Sequence, residues 1–313
     1  MIRLSIVVPC YNEEQVLRQT TVHLLLLLNR LISSEKIADN SSVYYVDDGS
    51  SDGTWALIES LVTENARTGG VKLSRNYGHQ NALLAGLYTL PGDALVSIDA
   101  DLQDDVDAIE QMVDACLDGA DIVYGVRGDR TTDTRFKRGT AHGFYRLMGA
   151  LGVNIIYNHG DYRLMTRRAI DTLMGYHEVN LFLRGIIPLI GFRSAIVYYK
   201  RNERLAGKSK YPLRRMLSLA WDGVTSFSVV PLRIVTVLGG AIFALTILMS
   251  FYTVGVRLFT NQAIPGWAST VLPIYFLGGI QILCVGILGE YLGKVYKEVK
   301  ARPRYVIEKV IGL

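Results

Sequence analysis

Through its first 128 residues the chain switches between two apolar spacings. Short runs, "RLSIVVPC", "SSVYYVDDGS", "GVKLSRN", "ALVSIDADLQ" and "ADIVYGVRG", are dense in Val, Ile, Leu and Tyr and break into Asp, Asn, Ser or Gly. That is the pattern of strands buried on both faces that end in polar loops. Between them, apolar residues recur every three or four positions and predict helices near 14–33, 53–66 and 105–118. The Leu24–Leu28 run is too short to cross a bilayer core of ~30 Å and is expected to be the apolar side of a soluble helix. This alternation predicts an α/β fold with a mostly parallel sheet, whose ligands gather at the carboxyl ends of the strands.

Beyond residue 200 the pattern changes. Ile234–Val256 is an uncharged run between Arg233 and Arg257, and Ala268–Gly289 is a second that ends at Glu290. Each exceeds the ~20 residues that a membrane-spanning helix needs, so a hairpin of two transmembrane helices is expected. Before it, "YPLRRMLSLAWDGVTSFSVVPLR" sets Leu213, Met216, Leu217, Leu219 and Trp221 beside Arg214, Arg215 and Asp222, which suits an amphipathic helix in the headgroup layer. The expected organisation is an α/β domain over 1–211, an interfacial region over 212–232, two spans within 233–290 (about 234–256 and 268–289) and a basic tail over 291–313.

Charge sharpens this division. The net charge of +4 conceals an acidic front, with 19 Lys and Arg against 24 Asp and Glu in residues 1–200, and a basic rear, with 14 against 5 in residues 201–313. The basic part is also the most apolar, which favours a membrane over nucleic acid as its partner. Lys294, Lys297, Lys300, Arg302, Arg304 and Lys309 follow the second span, while the link between the spans has only Arg257. The positive-inside rule then puts both termini in the cytoplasm. Cys10, Cys116 and Cys284 are far apart and form no CxxC pair, which argues against a disulfide framework or a zinc site. The opening "MIRLSIVVPCYNEE" enters a strand without the pattern of a secretory leader, so the first domain is expected to stay cytoplasmic.

The stretch "VSIDADLQDD" crowds Asp99, Asp101, Asp104 and Asp105 at the end of one strand, where like charges repel and burial is costly. Carboxylates one residue apart can share a hard dication, Mg2+ or Mn2+, that also takes oxygens from a diphosphate. "PCYNEE" and "VDDGSSDGT" follow two other strands. One acidic turn is ordinary capping chemistry, but three at one sheet edge point to a ligand site. No GxGxxG follows the first strand and no GxxxxGK[ST] occurs, so neither dinucleotide oxidoreduction nor P-loop phosphotransfer is supported.

"IVVPCYNEE", "VDDGSSDGT", "IDADLQDD", "HGDYRLM" and "RLAGKSKY", followed by two apolar spans and "GILGEYLGKVYKEVKARPRY", resemble glycosyltransferase family 2 along nearly the whole chain. Within it they most resemble the polyprenyl-phosphate glycosyltransferases, of the bactoprenol glucosyltransferase and dolichol-phosphate mannose synthase kind. The resemblance implies a nucleotide-sugar-binding α/β domain of the GT-A type. It implies that Pro9, Tyr11, Glu13, Val46 and Asp48 hold the base and ribose, with Ala100 beside the nucleotide. Asp99, Asp101 and Gln103 would be the metal site, and Arg127, Arg204 and Lys210 the cations for the diphosphate or the acceptor phosphate, the last two on the acceptor side. Asp101, Asp161 and Arg204 would be catalytic; Asp161 would orient the acceptor site or Arg163, or serve as base for a protonated phosphate. Arg184 in "LFLRG" has no tight motif around it.

The implied reaction is inverting transfer of a sugar, glucose from UDP-glucose, to undecaprenyl phosphate at the cytoplasmic face of a bacterial inner membrane. Its product would serve O-antigen, lipopolysaccharide or other envelope glycan modification. A mannosyl- or aminopentosyl-transferase is the alternative, and a processive synthase a more distant one, lacking here its QxxRW motif and extra spans. A membrane-anchored nucleotide-sugar-binding module without turnover, or a transporter, would be of a different class. Intact "DAD" weighs against the first, and Gln281 as the one strongly polar side chain inside the second span weighs against the other. Gly239, Gly240, Gly278, Gly279, Gly286 and Gly289 permit close helix contact, so a homo-oligomer is a further expectation.

Overall fold

The computed structural model describes residues 1–128, 159–178, 183–200 and 266–313, with scattered positions between 232 and 251. Two compact units emerge: Met1–Leu213 together with Arg302–Leu313, and Arg214–Ala301. Among the described residues the first unit contains eight strands in one sheet. They are β1 (Leu4–Cys10), β2 (Ser42–Asp47), β3 (Thr68–Leu73), β4 (Ala94–Ser97), β5 (Ile122–Arg127), β6 (His159–Thr166), β7 (Ser194–Tyr199) and β8 (Ile307–Ile311), in the order β7-β5-β6-β4-β1-β2-β3-β8.

The four strands β4, β1, β2 and β3 run parallel, β6 runs antiparallel to β4 and β5, β7 is parallel to β5, and β8 is antiparallel to β3. Chain order reverses beside β1, with β2 on one flank and β4 on the other. In open α/β sheets such a switch point is where a ligand crevice opens at the strand carboxyl ends. "PCYNE" and "DADLQ" sit at that crevice.

Both sheet faces are covered, which is why β1 reads as an unbroken apolar run. Ile6 and Val8 pack with Leu17, Leu24, Leu28, Ile58 and Ile109, from helices α1 (Leu17–Ser33), α2 (Thr54–Glu64) and α4 (Ala108–Leu117). Val7 turns to the other face, where it and Val46 crowd Gly86 of α3 (His79–Thr89). Two shorter helices, α5 (Arg167–Met174) and α6 (Leu183–Leu189), follow β6. The leucine run behaves as its spacing demands: Leu24, Leu27 and Leu28 are buried and Leu26 is exposed. Each buried leucine contributes roughly 1.5–3 kcal/mol of transfer free energy.

The stretch expected as a basic tail over 291–313 ends in β8, which pairs Val310 with Val71 and Lys309 with Lys72. Lys309 also meets Glu59 at 2.7 Å, and Glu308 meets Lys72 at 3.0 Å.

In the second unit α7 runs from Trp267 to Lys300 and, among the described residues, is the one helix long and apolar enough to cross a membrane. An 18-residue window within its Phe276–Lys300 portion has a mean hydropathy of 1.5. The helix therefore extends past the expected end at 289 and carries Lys294, Lys297 and Lys300 on helical backbone. The span expected over 234–256 lies mostly outside the described residues; those positions between 232 and 251 that are described all have helical backbone. The interfacial region expected over 212–232 lies outside them except for Leu232.

Candidate active site

Two polar loops close the crevice on the β1–β2 side by bonding to one another. Asn12, at φ 58, accepts the Ser51 amide at 2.9 Å and donates its own amide to the Ser50 hydroxyl at 3.0 Å. The Glu13 amide donates to Thr54 Oγ1 at 2.9 Å, and Glu14 accepts the Gly53 amide at 3.1 Å. Asp52 accepts the Thr54 amide and hydroxyl at 3.0 and 2.6 Å, an Asx turn that leads into α2 through Gly53. Gly49 sits at φ 66 against the Arg75–Asn76 backbone, where a side chain would be both strained and blocked. Much of "YNEE" and "DGSSDGT" thus builds the loop scaffold.

Several residues expected at the nucleotide take up such structural positions. Val46 is fully buried, so its side chain packs the core instead of facing a ligand. Pro9 is paired beside it in the sheet. Asp48 is 2 % exposed, and its two oxygens accept the Tyr77 and Gly78 amides at 2.7 and 2.9 Å, fixing the entry to α3. Tyr11 is 47 % exposed at the crevice, and the Ala100 carbonyl is tied to Thr20 at 2.7 Å.

On the β4 side, Leu102 stands at φ 52 between Asp101 and Gln103. A left-handed backbone costs a bulky residue about 1–2 kcal/mol and marks a turn held in shape by its surroundings. Asp101 Oδ1 accepts the Gln103 amide at 3.2 Å. Asp104, 3 % exposed, accepts the Tyr199 hydroxyl at 2.5 Å; Arg127 Nε donates to that hydroxyl at 3.3 Å, and Arg127 Nη2 lies 3.9 Å from Asp104 Oδ1. Arg127 therefore belongs to the carboxylate loop, anchored through Tyr199.

Asp99 faces His79, the first residue of α3, with His79 Nε2 3.7 Å from Asp99 Oδ1. Partial burial of a side chain that keeps 46% exposure, then the charges of Asp104, Asp161 and Asp101, push the Asp99 carboxyl up to about 6 against the pull of His79. A group so penalised for its charge fits a cation. Among the described residues no three His, Cys, Asp or Glu side chains form a ready cage. A dication held by Asp99, Asp101 and Gln103 would take its other oxygens from a diphosphate and water, as Mg2+ and Mn2+ sites commonly do.

Asp161, on β6, is the hub of the remaining charges. Its Oδ1 meets Arg163 Nη2 at 2.5 Å, and its Oδ2 lies 3.5 Å from both Arg184 Nη2 and His79 Nε2. Arg163 is 1 % exposed, and its Nε and Nη1 lack hydrogen-bond partners among the described residues. Burial would raise the Asp161 pKa, but the His79 hydrogen bond and the charges of Arg184, Arg163 and His79 outweigh it and hold the carboxyl well below its usual range. Arg184, weakest of the sequence candidates, is thus brought into the site. His79 and Tyr199 carried no assignment. "SRNYGHQ" at the end of β3 resembles the other polar strand ends and could have flagged His79; nothing local marks Tyr199. Arg204 and Lys210 lie outside the described residues.

The model of the family described as "Glycosyl transferase family 2" matches residues 5–174. The chain belongs to this family. It is 50% identical over 97% of its length to the uncharacterized glycosyltransferase YkoT of Bacillus subtilis, covering 91% of that protein. It is 36% identical over 98% of its length to a prophage bactoprenol glucosyl transferase homolog of Escherichia coli, covering 99% of that protein. A crystal structure of mannosyl-3-phosphoglycerate synthase from Rubrobacter xylanophilus shares 16% identity at a TM-score of 0.46, covering 72% of this chain and 73% of that one. This glycosyltransferase has the GT-A-like α/β sheet that its motifs led one to expect.

Proposed function

We propose that this glycosyltransferase moves glucose from UDP-glucose onto undecaprenyl phosphate at the cytoplasmic membrane face, with inversion, to make a lipid-linked sugar for envelope glycan modification. Likeness over nearly the full chain to relatives named bactoprenol glucosyl transferases supports the acceptor class. The observation that carries the reading is the state of Asp161. A carboxylate held by two arginines and a histidine is too weakly basic to take a proton from an alcohol. A phosphate monoester needs no such help, being largely ionised near neutral pH. What it needs is orientation and charge compensation.

Asp161 therefore works as an anchor: it aims Arg184 and His79 while neutralising the buried Arg163. The Asp104–Tyr199–Arg127 contacts hold the carboxylate loop and turn a guanidinium toward its acidic end. The dication that Asp99, Asp101 and Gln103 would hold supplies charge neutralisation for the departing diphosphate. Arg204 and Lys210 remain candidates for the acceptor phosphate.

The chain's connectivity supports a hairpin. β8, beyond α7, joins the same sheet as β1–β4, so a crossing by α7 calls for a second crossing earlier in the chain. The uncharged run 234–256 is suited to it.

A screen of nucleotide sugars with detergent-purified protein, followed by mass analysis of the lipids, tests the reading. UDP-glucose with undecaprenyl phosphate is expected to give a hexosyl phospholipid, and undecaprenol, lacking the phosphate, to give none. Equal transfer to undecaprenol would overturn the anchor role of Asp161, and exclusive use of another nucleotide sugar would overturn the choice of glucose.

A further inference from the structure

We propose that Arg184 and His79 together form a phosphate-monoester subsite that receives the acceptor, a placement that rests on the polyprenyl-phosphate reading. The two side chains come from different helices yet are held as a pair. Asp48 fixes the Tyr77 and Gly78 amides and so sets where α3 begins, with His79 as its first residue. The next residue, Gln80, accepts the Leu183 amide at 3.4 Å, which moors the start of α6 to α3 immediately before Arg184. Arg184 and His79 then converge on one atom, Asp161 Oδ2, each at 3.5 Å.

Exposure separates these two from the third cation. Arg163 is 1 % exposed and serves the other carboxylate oxygen, whereas the Arg184 and His79 side chains keep 39% and 42% exposure. Arg184 uses Nη2 toward Asp161, and a guanidinium has five N–H donors in a fixed fork that matches phosphate oxygens. Two guanidiniums face one carboxylate at Asp161, so this corner carries surplus positive charge, while the neighbouring corner at Asp99 and Asp101 carries surplus negative charge suited to a dication. Two poles of this kind sort two phosphate groups: the diphosphate goes to the dication, and the monoester goes to Arg184 and His79. Among the ion pairs of the described residues, Arg184 meets Asp161 and not Asp99, which puts it on the acceptor's side, whereas His79 Nε2 also lies 3.7 Å from Asp99 Oδ1 and so stands at the border of the two poles.

Isothermal titration of the full-length protein in detergent tests this without requiring turnover. The probes are farnesyl phosphate, farnesol, inorganic phosphate and UDP-glucose, and the variants are R184Q, R184K and H79N. R184Q is expected to weaken farnesyl phosphate binding about ten- to a hundredfold, the worth of charged hydrogen bonds lost. R184K, which keeps charge without the fork, is expected to recover part of that loss, with H79N falling between wild type and R184Q. UDP-glucose affinity in R184Q and R184K should not change. Unchanged farnesyl phosphate affinity in R184Q, or an equal loss for UDP-glucose, would overturn the subsite. Inorganic phosphate binding as tightly as farnesyl phosphate would assign it to free phosphate instead of the acceptor. A wild-type protein that binds farnesyl phosphate through Arg184 but transfers no sugar to undecaprenyl phosphate would leave the subsite standing and sink the functional reading.

Discussion

At the scale of single residues, the site is a problem in charge compensation. Asp161 serves a guanidinium that is almost fully buried, and removing one partner of such a pair costs about 3–5 kcal/mol because the other is left uncompensated. D161N is therefore expected to lower the melting temperature by several degrees, measurable by calorimetry. The pH dependence has a definite sign. The folded pKa of Asp161 lies below its unfolded value of ~3.9, so its stabilisation is present above that value and is lost as pH falls through the folded pKa. D161N should lack this component of acid destabilisation, and equal acid sensitivity in both proteins would contradict the pairing. Acidic members of the site were legible in the sequence because "DADLQ" and "HGDYRLM" cluster charge where a sheet ends. Their partners were not: Arg184 is 23 residues from Asp161, and Tyr199 is 95 from Asp104. Such contacts are products of the fold and leave no local spacing.

Among the elements, the parallel strands were legible because burial on two faces demands unbroken apolar runs, and α1 because its apolar residues fall on one side. The helix α3 was not. Ala82 to Leu87 are all buried, so an apolar surface nearly surrounds it and no helical period stands out. The strand β8 escaped because its five residues, IEKVI, set Glu308 and Lys309 side by side and so lack the alternation of a half-buried strand, within a basic segment. It covers the β3 edge, where Gly69 leaves room: a side-chain carbon there would come within 2.5 Å of the Tyr44 ring and 2.6 Å of the Gly312 carbonyl oxygen. G69A should force β8 or Tyr44 to shift, at about 1–3 kcal/mol, seen as a lower denaturant midpoint and faster amide exchange in β8. A variant with wild-type stability and exchange would remove β8 from the sheet's account.

For the whole molecule, α7 and β8 combine into a statement about membrane topology. Residues on both sides of α7 belong to one sheet, so the amino and carboxyl termini are predicted to lie on one side of the membrane; the proposed orientation, from the lysines at the end of α7, puts that side in the cytoplasm and the link near 258–265 outside. Single-cysteine labelling with a membrane-impermeant reagent in a cysteine-free background checks this. A cysteine at Asn261 should label in intact cells and one at Leu313 only after permeabilisation; identical labelling of the two would mean that α7 does not cross, and the reverse pattern would invert the orientation. This architecture suits an enzyme whose nucleotide sugar is soluble and whose acceptor is a lipid. The claim on which the rest depends is that the carboxylates at the β4 end act through a dication. Transfer of labelled glucose from UDP-glucose to undecaprenyl phosphate tests it most directly, using EDTA-stripped protein titrated with Mn2+, wild type beside D101A. The expected result is transfer that appears only as the cation is restored and that falls about a hundredfold or more in D101A. Full turnover in excess EDTA, or an undiminished D101A, would contradict it.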